Sequence, residues 1–104
     1  MIRIIVSKKE GRFASLEVKG HANSAPKGED LVCSAVSAIV VGGLNALNDE
    51  KGDYETKIDE GYVSIKALKP VKEHDELVFE IIVKQLERIA QDYPSNVRLE
   101  RKEA

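Results

Sequence analysis

The sequence is poor in the side chains that carry most catalytic and metal chemistry. It has one cysteine, two histidines and no tryptophan in 104 residues, so a site built on sulfur or imidazole must use Cys33, His21 or His74. A single thiol excludes an internal disulfide and an intrachain dithiol pair. Structural zinc usually needs four ligands, which these side chains cannot supply. We therefore expect no metal and no cofactor.

An excess of charge of one sign and long apolar runs are also missing. Sixteen Lys and Arg residues stand against eighteen Asp and Glu residues, and the two signs are interspersed. The net charge of -2 gives no electrostatic basis for binding nucleic acid or an anionic membrane. The longest apolar-rich stretch, residues 31–47, is interrupted by polar side chains and falls short of a membrane span. No secretory pattern opens the chain, so we expect a cytoplasmic protein.

The chain is long enough to form one modest hydrophobic core, and its hydrophobic residues recur with clear strand and helix periods. Hydrophobic residues make up 42% of the sequence, and we treat the whole chain, residues 1–104, as a single domain. Alternating and helical patterns predict two hairpins, two helices and a short last strand, over residues 1–20, 31–48, 54–67, 73–93 and 97–99. The order ββαββαβ predicts an α+β two-layer sandwich, with both helices on one face of a small mixed sheet.

The first predicted helix is apolar around nearly its whole circumference. Such a helix is buried on more than one side, here against its own sheet and against a partner subunit. Gly42 and Gly43 in its interior each cost roughly 1 kcal/mol of helix propensity relative to alanine. Close approach of another backbone is the usual compensation for such a cost.

One thiol lies at the start of this helix, and one histidine lies across a loop from it. Asp30 is a good helix N-cap, because its carboxylate can accept the backbone N–H groups of Val32 or Cys33. Cys33 then falls in the first turn, where the helix dipole lowers the pKa of a thiol. His21 closes the second strand, and the loop over residues 20–29 is long enough to bring imidazole to sulfur. Such a pair is the minimum equipment for acyl transfer, and first-turn N–H groups could hold the oxyanion.

Each of these residues also has a purely structural interpretation. A lone cysteine is often an inert core thiol, and a loop histidine is more often hydrogen-bonded than catalytic. Asp30 is explained as a cap, yet it could also orient His21. Because a carboxylate near Cys33 would disfavour the thiolate, we expect Asp30 to face His21 or the backbone rather than the sulfur. Three further side chains are expected to have no catalytic role: the hydroxyls of Ser34 and Ser37, which pack or bond back to the helix, and a solvated His74 near the start of the second predicted helix.

The motifs around these residues carry a family resemblance. The triplet Gly20-His21-Ala22, a glycine-containing loop, and the run from Gly28 through Asp30 and Cys33-Ser34 to Ser37 resemble the ribosomal-processing cysteine protease family, Prp. The resemblance covers essentially the whole chain. It implies that Cys33 is the nucleophile and His21 the general base, and it leaves Asp30 with an orienting or capping role. Further motif residues are candidates for substrate binding: Gly20, Ala22, Gly28, Ser34 and Ser37.

The resemblance also implies a substrate and an assembly. Members of the family remove a short N-terminal extension from a large-subunit ribosomal protein, the twenty-seventh in the standard naming, during ribosome assembly. The substrate segment is extended and apolar, with an aromatic residue before the cut. A flexible loop, here residues 22–28, covers the substrate, and the family is homodimeric.

Two other functions remain open from the sequence. The first is a non-catalytic, ribosome-associated protein-binding module in which Cys33 is structural and the loop is a recognition element. The second is a thiol redox enzyme, which is weakened by the lack of a second cysteine to resolve an oxidised intermediate.

Overall fold

The elements of the protein follow the predicted order. The structure, a computed structural model, describes residues 1–20, 30–49 and 52–104. Its strands and helices are β1 (Ile2–Lys9), β2 (Arg12–Lys19), α1 (Leu31–Leu44), β3 (Tyr54–Asp59), β4 (Tyr62–Ala67), α2 (Glu73–Asp92) and β5 (Val97–Glu103). The predicted α+β class and the ββαββαβ order are confirmed.

The five strands form one mixed sheet in the order β3-β4-β2-β1-β5. Neighbouring strands are antiparallel, except that β1 and β5 run parallel. Ile4 lies opposite Val18, and Val6 lies opposite Leu16. Because residues two apart on a strand share one face, these four buried side chains line the same side of the sheet.

Both helices pack on that apolar side. The core that they share with the sheet includes Val36 and Val40 from α1 and Phe79 and Leu86 from α2, all nearly inaccessible to solvent. The ring of Phe79 stacks on that of Phe13 from β2. The predicted arrangement, two helices on one face of the sheet, is confirmed. Within the described ranges, neither helix is both long enough and apolar enough to cross a membrane.

The first helix ends earlier than predicted. It stops at Leu44 rather than near residue 48, and the chain continues in a tighter turn in which Ala46 N–H donates to the carbonyl of Gly43. The low helix propensity of two adjacent glycines near the end explains the early stop. A Cβ at Gly43 would lie 2.4 Å from Cγ1 of Ile82, so this glycine allows a side chain of α2, rather than a backbone, to approach closely. At Gly42, apart from the helix's own backbone, no atom of the described residues lies within 4 Å of the equivalent point.

The burial of α1 also leaves one surface open within this chain. Val32, Val36 and Val40 face the core, as predicted for the side against the sheet. On the remaining surface, Leu31 is 81% exposed and Val41 is 41% exposed. The second apolar side expected from the sequence, with Cys33, Val40, Leu44 and Leu47, is buried or partly buried against the core of the same chain, and only the surface with Leu31 and Val41 is open.

The last strand is longer than predicted, because the charged C-terminal segment is part of it. β5 pairs with β1 from Val97 opposite Ile2 to Glu103 opposite Lys8. The backbone of β1 would otherwise present unpaired N–H and C=O groups along that edge. Pairing with β5 satisfies these groups without requiring apolar side chains.

A buried carboxylate in the first turn of α2 joins that helix to β3 and to the segment that follows α1. Asp75 is 4% exposed, and its oxygens accept hydrogen bonds from the Asn48 backbone N–H (2.9 Å) and the Tyr54 hydroxyl (2.6 Å). His74 Nδ1 lies 2.7 Å from the same carboxylate. The half-exposed His74 is therefore not merely solvated, as the sequence suggested, but borders a polar network.

Candidate active site

Asp30 caps α1 as predicted. Its Oδ1 accepts hydrogen bonds from the backbone N–H groups of Val32 (3.1 Å) and Cys33 (3.0 Å). Its backbone carbonyl accepts from Ser34 N–H, which is the first regular helical bond. Asp30 is itself only 9% exposed. The cap is worth about 1 kcal/mol and fixes the direction in which the first turn presents the thiol.

The same carboxylate also faces the sulfur, so the prediction that Asp30 would avoid Cys33 is wrong. Cys33 Sγ lies 3.3 Å from Asp30 Oδ2 and donates a hydrogen bond to it. Once Oδ1 is bound to the backbone of the first turn, the second oxygen lies beside the side chain at the third helical position. The sequence argument assumed a thiolate, which a carboxylate repels, whereas a protonated thiol is a donor that a carboxylate accepts.

The first-turn N–H groups expected to hold an oxyanion are engaged by Asp30 in this structure. Val32 and Cys33 donate to its side chain, and Ser34 donates to its carbonyl. An N–H group that already donates to a carboxylate is not free to stabilise a developing oxyanion. Using the Val32 or Cys33 N–H group for that purpose therefore requires a movement of the Asp30 side chain.

The two candidate serines lie on the same helix. Ser34 Oγ donates to the Asp30 carbonyl at 3.1 Å, the bond back to the helix that the sequence suggested. Ser37 is exposed one turn further on. Cys33 is partly buried and packs against the edge of the core, between the Asp30 cap and the buried face of α1.

Gly20, at the end of β2, is held where only glycine fits. Its φ of 94° lies in the left-handed region, and a Cβ there would lie 2.3 Å from the carbonyl oxygen of Met1. Its N–H donates to the carbonyl of Gly61 at 2.9 Å, which ties the end of β2 to the β3–β4 turn. Gly20 therefore fixes the point at which the chain leaves the sheet. The next motif residue, His21, lies outside the described residues, as do Ala22 and Gly28.

Comparison with known proteins shows the family to which this fold and thiol belong. A family model described as cysteine protease Prp matches residues 1–98. The chain belongs to the cysteine protease Prp family. It is therefore a cysteine protease, and the alternative of a non-catalytic binding module is not favoured. The Prp match spans β1, the Asp30–Cys33 turn and both helices.

Individual Prp proteins resemble the chain over most of its length. The ribosomal processing cysteine protease Prp of Bacillus subtilis strain 168 is 36% identical over 93 residues, which cover 82% of each chain. The protein of the same name from Mycoplasma genitalium is 32% identical over 97 residues, covering 93% of this chain and 92% of that one.

A solved structure shows the same fold. The crystal structure of the ribosomal processing protease Prp from Staphylococcus aureus with a covalently linked product peptide matches with a TM-score of 0.89 and 27% identity. The match covers 98% of this chain and 100% of that one. The sandwich of five strands and two helices is thus the Prp fold.

Proposed function

We propose that this protease removes the N-terminal extension of a large-subunit ribosomal protein, the twenty-seventh, with Cys33 as nucleophile and His21 as general base. The observation that carries the proposal is that a chain of the cysteine protease family has one cysteine, and this cysteine lies in the capped first turn of α1. His21 follows Gly20, whose backbone fixes the end of β2. No other histidine precedes the loop that leads to Cys33.

The proposed reaction has two halves. In the first, the Sγ proton of Cys33 passes to His21 and the thiolate attacks the scissile carbonyl. The tetrahedral intermediate collapses, the imidazolium protonates the departing amine, and the mature ribosomal protein leaves with a new N-terminus. In the second, His21 takes a proton from water and the hydroxide attacks the thioester carbonyl. The C–S bond then breaks, the Cys33 thiolate regains its proton from the His21 imidazolium, and the extension leaves with a free carboxyl group.

The proposed substrate is based on the names of the related proteins and on the peptide in a related crystal structure. Their names describe ribosomal processing, and the Staphylococcus aureus structure is described as holding a covalently linked product peptide. By extension, this chain would bind an extended apolar segment with an aromatic residue before the cut. Gly20, Ala22, Gly28, Ser34 and Ser37 are the proposed substrate contacts, and residues 22–28 would close over the peptide. We propose that the reaction takes place in the cytoplasm, where ribosomes are assembled.

Intact-mass spectrometry of a precursor incubated with the protein tests this function. We expect two products, the mature ribosomal protein and the free extension, whose masses sum to that of the precursor plus one water. A matched precursor in which glycine replaces the aromatic residue before the cut should remain intact. A precursor that stays whole with the folded protein contradicts the substrate assignment, and a turnover that consumes peroxide and a thiol reductant would favour redox chemistry.

We further propose that the protein is a homodimer that covers the open side of the helices. Val41 on α1 and Leu77 and Ile81 on α2 are large apolar side chains between 41% and 57% exposed. A groove between the two helices continues this surface. Sedimentation should give the mass of two chains, and Ile81→Glu should give one. The control Leu68→Glu changes a side chain of similar exposure outside the helices and should remain dimeric.

A further inference from the structure

We propose that Asp30 is a positioning residue that holds the resting Cys33 as a neutral thiol and must release the sulfur before it attacks. The inference rests on Cys33 being the nucleophile of the proposed function. It adds a control step to that site: the carboxylate that caps the helix also keeps the enzyme latent until substrate is bound.

Both oxygens of the Asp30 carboxylate contact Cys33, one at its backbone N–H and the other at its sulfur. Oδ1 is tied to the N–H groups of Val32 and Cys33, and Oδ2 lies 3.3 Å from Cys33 Sγ. Asp30 is 9% exposed, so its negative charge is poorly screened by water. The carboxylate cannot rotate away from the sulfur without disturbing the cap.

The ordinary acidities of a thiol and a carboxyl group favour the proton on sulfur in this contact. In model peptides a carboxyl group is more acidic than a thiol by roughly four to five pKa units, so the proton stays on sulfur. Removing it would leave two negative charges about 3.3 Å apart in a partly buried site. This repulsion opposes thiolate formation and counteracts the helix dipole, which favours it.

Release of the sulfur therefore prepares two parts of the reaction. Separation of Oδ2 from Sγ removes the repulsion, so that the proton can pass to His21. If the whole carboxylate moves, the Val32 and Cys33 N–H groups become available to an oxyanion. One movement of Asp30 would thus activate the thiolate and complete the oxyanion site.

The substitution Asp30→Asn separates the cap from the thiol contact. Asparagine is as good an N-cap as aspartate, and its amide oxygen can replace Oδ1. Its NH₂ group, placed where Oδ2 was, cannot accept the S–H bond but can donate to a thiolate. We expect the substrate-free variant to react with iodoacetamide at least about tenfold faster than the wild type at pH 6.5, because removing a neighbouring negative charge favours the thiolate. If the alkylation rate of Asp30→Asn depends on pH in the same way as that of the wild type, with the same rates, the proposal is overturned.

Asp92→Asn is the matched control for the change in net charge. Asp92 ends α2, and its side chain is 46% exposed and paired with Arg88, so this variant should keep the wild-type alkylation profile. Circular dichroism should show that each variant is folded. If Asp30→Asn is not folded, Asp30→Ser keeps a capping oxygen without the charge and should show the same acceleration.

Repeating the comparison in a His21→Ala background separates this inference from the proposed function. If Asp30 acts on the sulfur directly, Asp30→Asn accelerates alkylation equally with and without His21. An acceleration that disappears with His21 would show that Asp30 acts through the imidazole, and would overturn the direct contact as the cause. Failure of precursor cleavage with the acceleration intact would count against the proposed substrate alone.

Discussion

Replacing Cys33 by alanine is expected to abolish processing of the ribosomal precursor, because the only thiol in the chain is lost and no thioester can form. Replacing His21 by alanine should lower the rate by about 10²- to 10⁴-fold, the usual contribution of a general acid–base group. Both effects can be measured as the initial rate at which mature ribosomal protein appears by mass spectrometry.

The second histidine provides a matched control for the first. His74 is half exposed and contacts Asp75 rather than Cys33, so His74→Ala should keep its cleavage rate within about twofold of the wild type. Cleavage that survives Cys33→Ala, or that responds to His74→Ala as strongly as to His21→Ala, would contradict the assigned pair.

Replacing Asp75 by alanine is expected to lower the free energy of unfolding by about 2 to 4 kcal/mol, a large part of the stability of a domain of this size, because two donors lose their shared acceptor. The change leaves the partly buried Asn48 N–H and Tyr54 hydroxyl groups without their acceptor. Tyr54→Phe removes one of these bonds and leaves the Asp75 carboxylate with its contacts to Asn48 and His74, so it should cost only about 1 kcal/mol. Urea unfolding of the three proteins measures both differences, and equal losses for the two variants would contradict a network centred on Asp75.

The same network predicts how stability depends on acid. Burial raises the pKa of Asp75, but hydrogen bonds from Asn48, Tyr54 and His74 outweigh burial and hold the pKa below its ordinary value of 3.8. A carboxyl group with a lowered folded-state pKa stabilises the protein fully above its unfolded value, and the stabilisation is lost as pH falls through the folded value. The stability difference between wild type and Asp75→Asn should therefore be constant near neutral pH and shrink below about pH 4. A difference that stays constant to strongly acidic pH would count against this account.

Burial and the neighbouring Asp75 carboxylate also raise the pKa of Tyr54 well above its ordinary value. Tyr54 therefore remains a hydrogen-bond donor throughout the pH range in which the protein would be assayed. Its ring meets Phe79 edge-on, which links the polar network directly to the core.

Local patterns were sufficient to predict most of the fold. Apolar alternation predicted the strands of both hairpins, and the helical period predicted a second helix over residues 73–93, within one residue of its observed end at Asp92. These signals lie within a few residues of the feature that they predict. The extent of β5 could not be found in this way, since its charged residues carry no apolar alternation and its partner β1 begins about a hundred residues earlier.

The polar contacts were likewise predictable only where the partners lie close together in the sequence. Asp30 could be identified as a cap because the cap and its N–H donors lie within three residues of each other. The direction of its second oxygen could not be derived, because it depends on whether Cys33 carries a proton. Asp75 was missed because its partners Asn48 and Tyr54 are 27 and 21 residues away and only the folded chain brings them together.

Trapping the covalent intermediate tests the central claim most directly. Wild-type protein mixed with precursor and quenched in acid during the first turnover should gain the mass of the N-terminal extension less one water, and peptide mapping should place this adduct on Cys33. Such an adduct is the thioester in which the extension is bound to sulfur after the mature protein has left. Cleavage of the precursor with no adduct under rapid quenching, or with an adduct on any residue other than Cys33, would contradict the account.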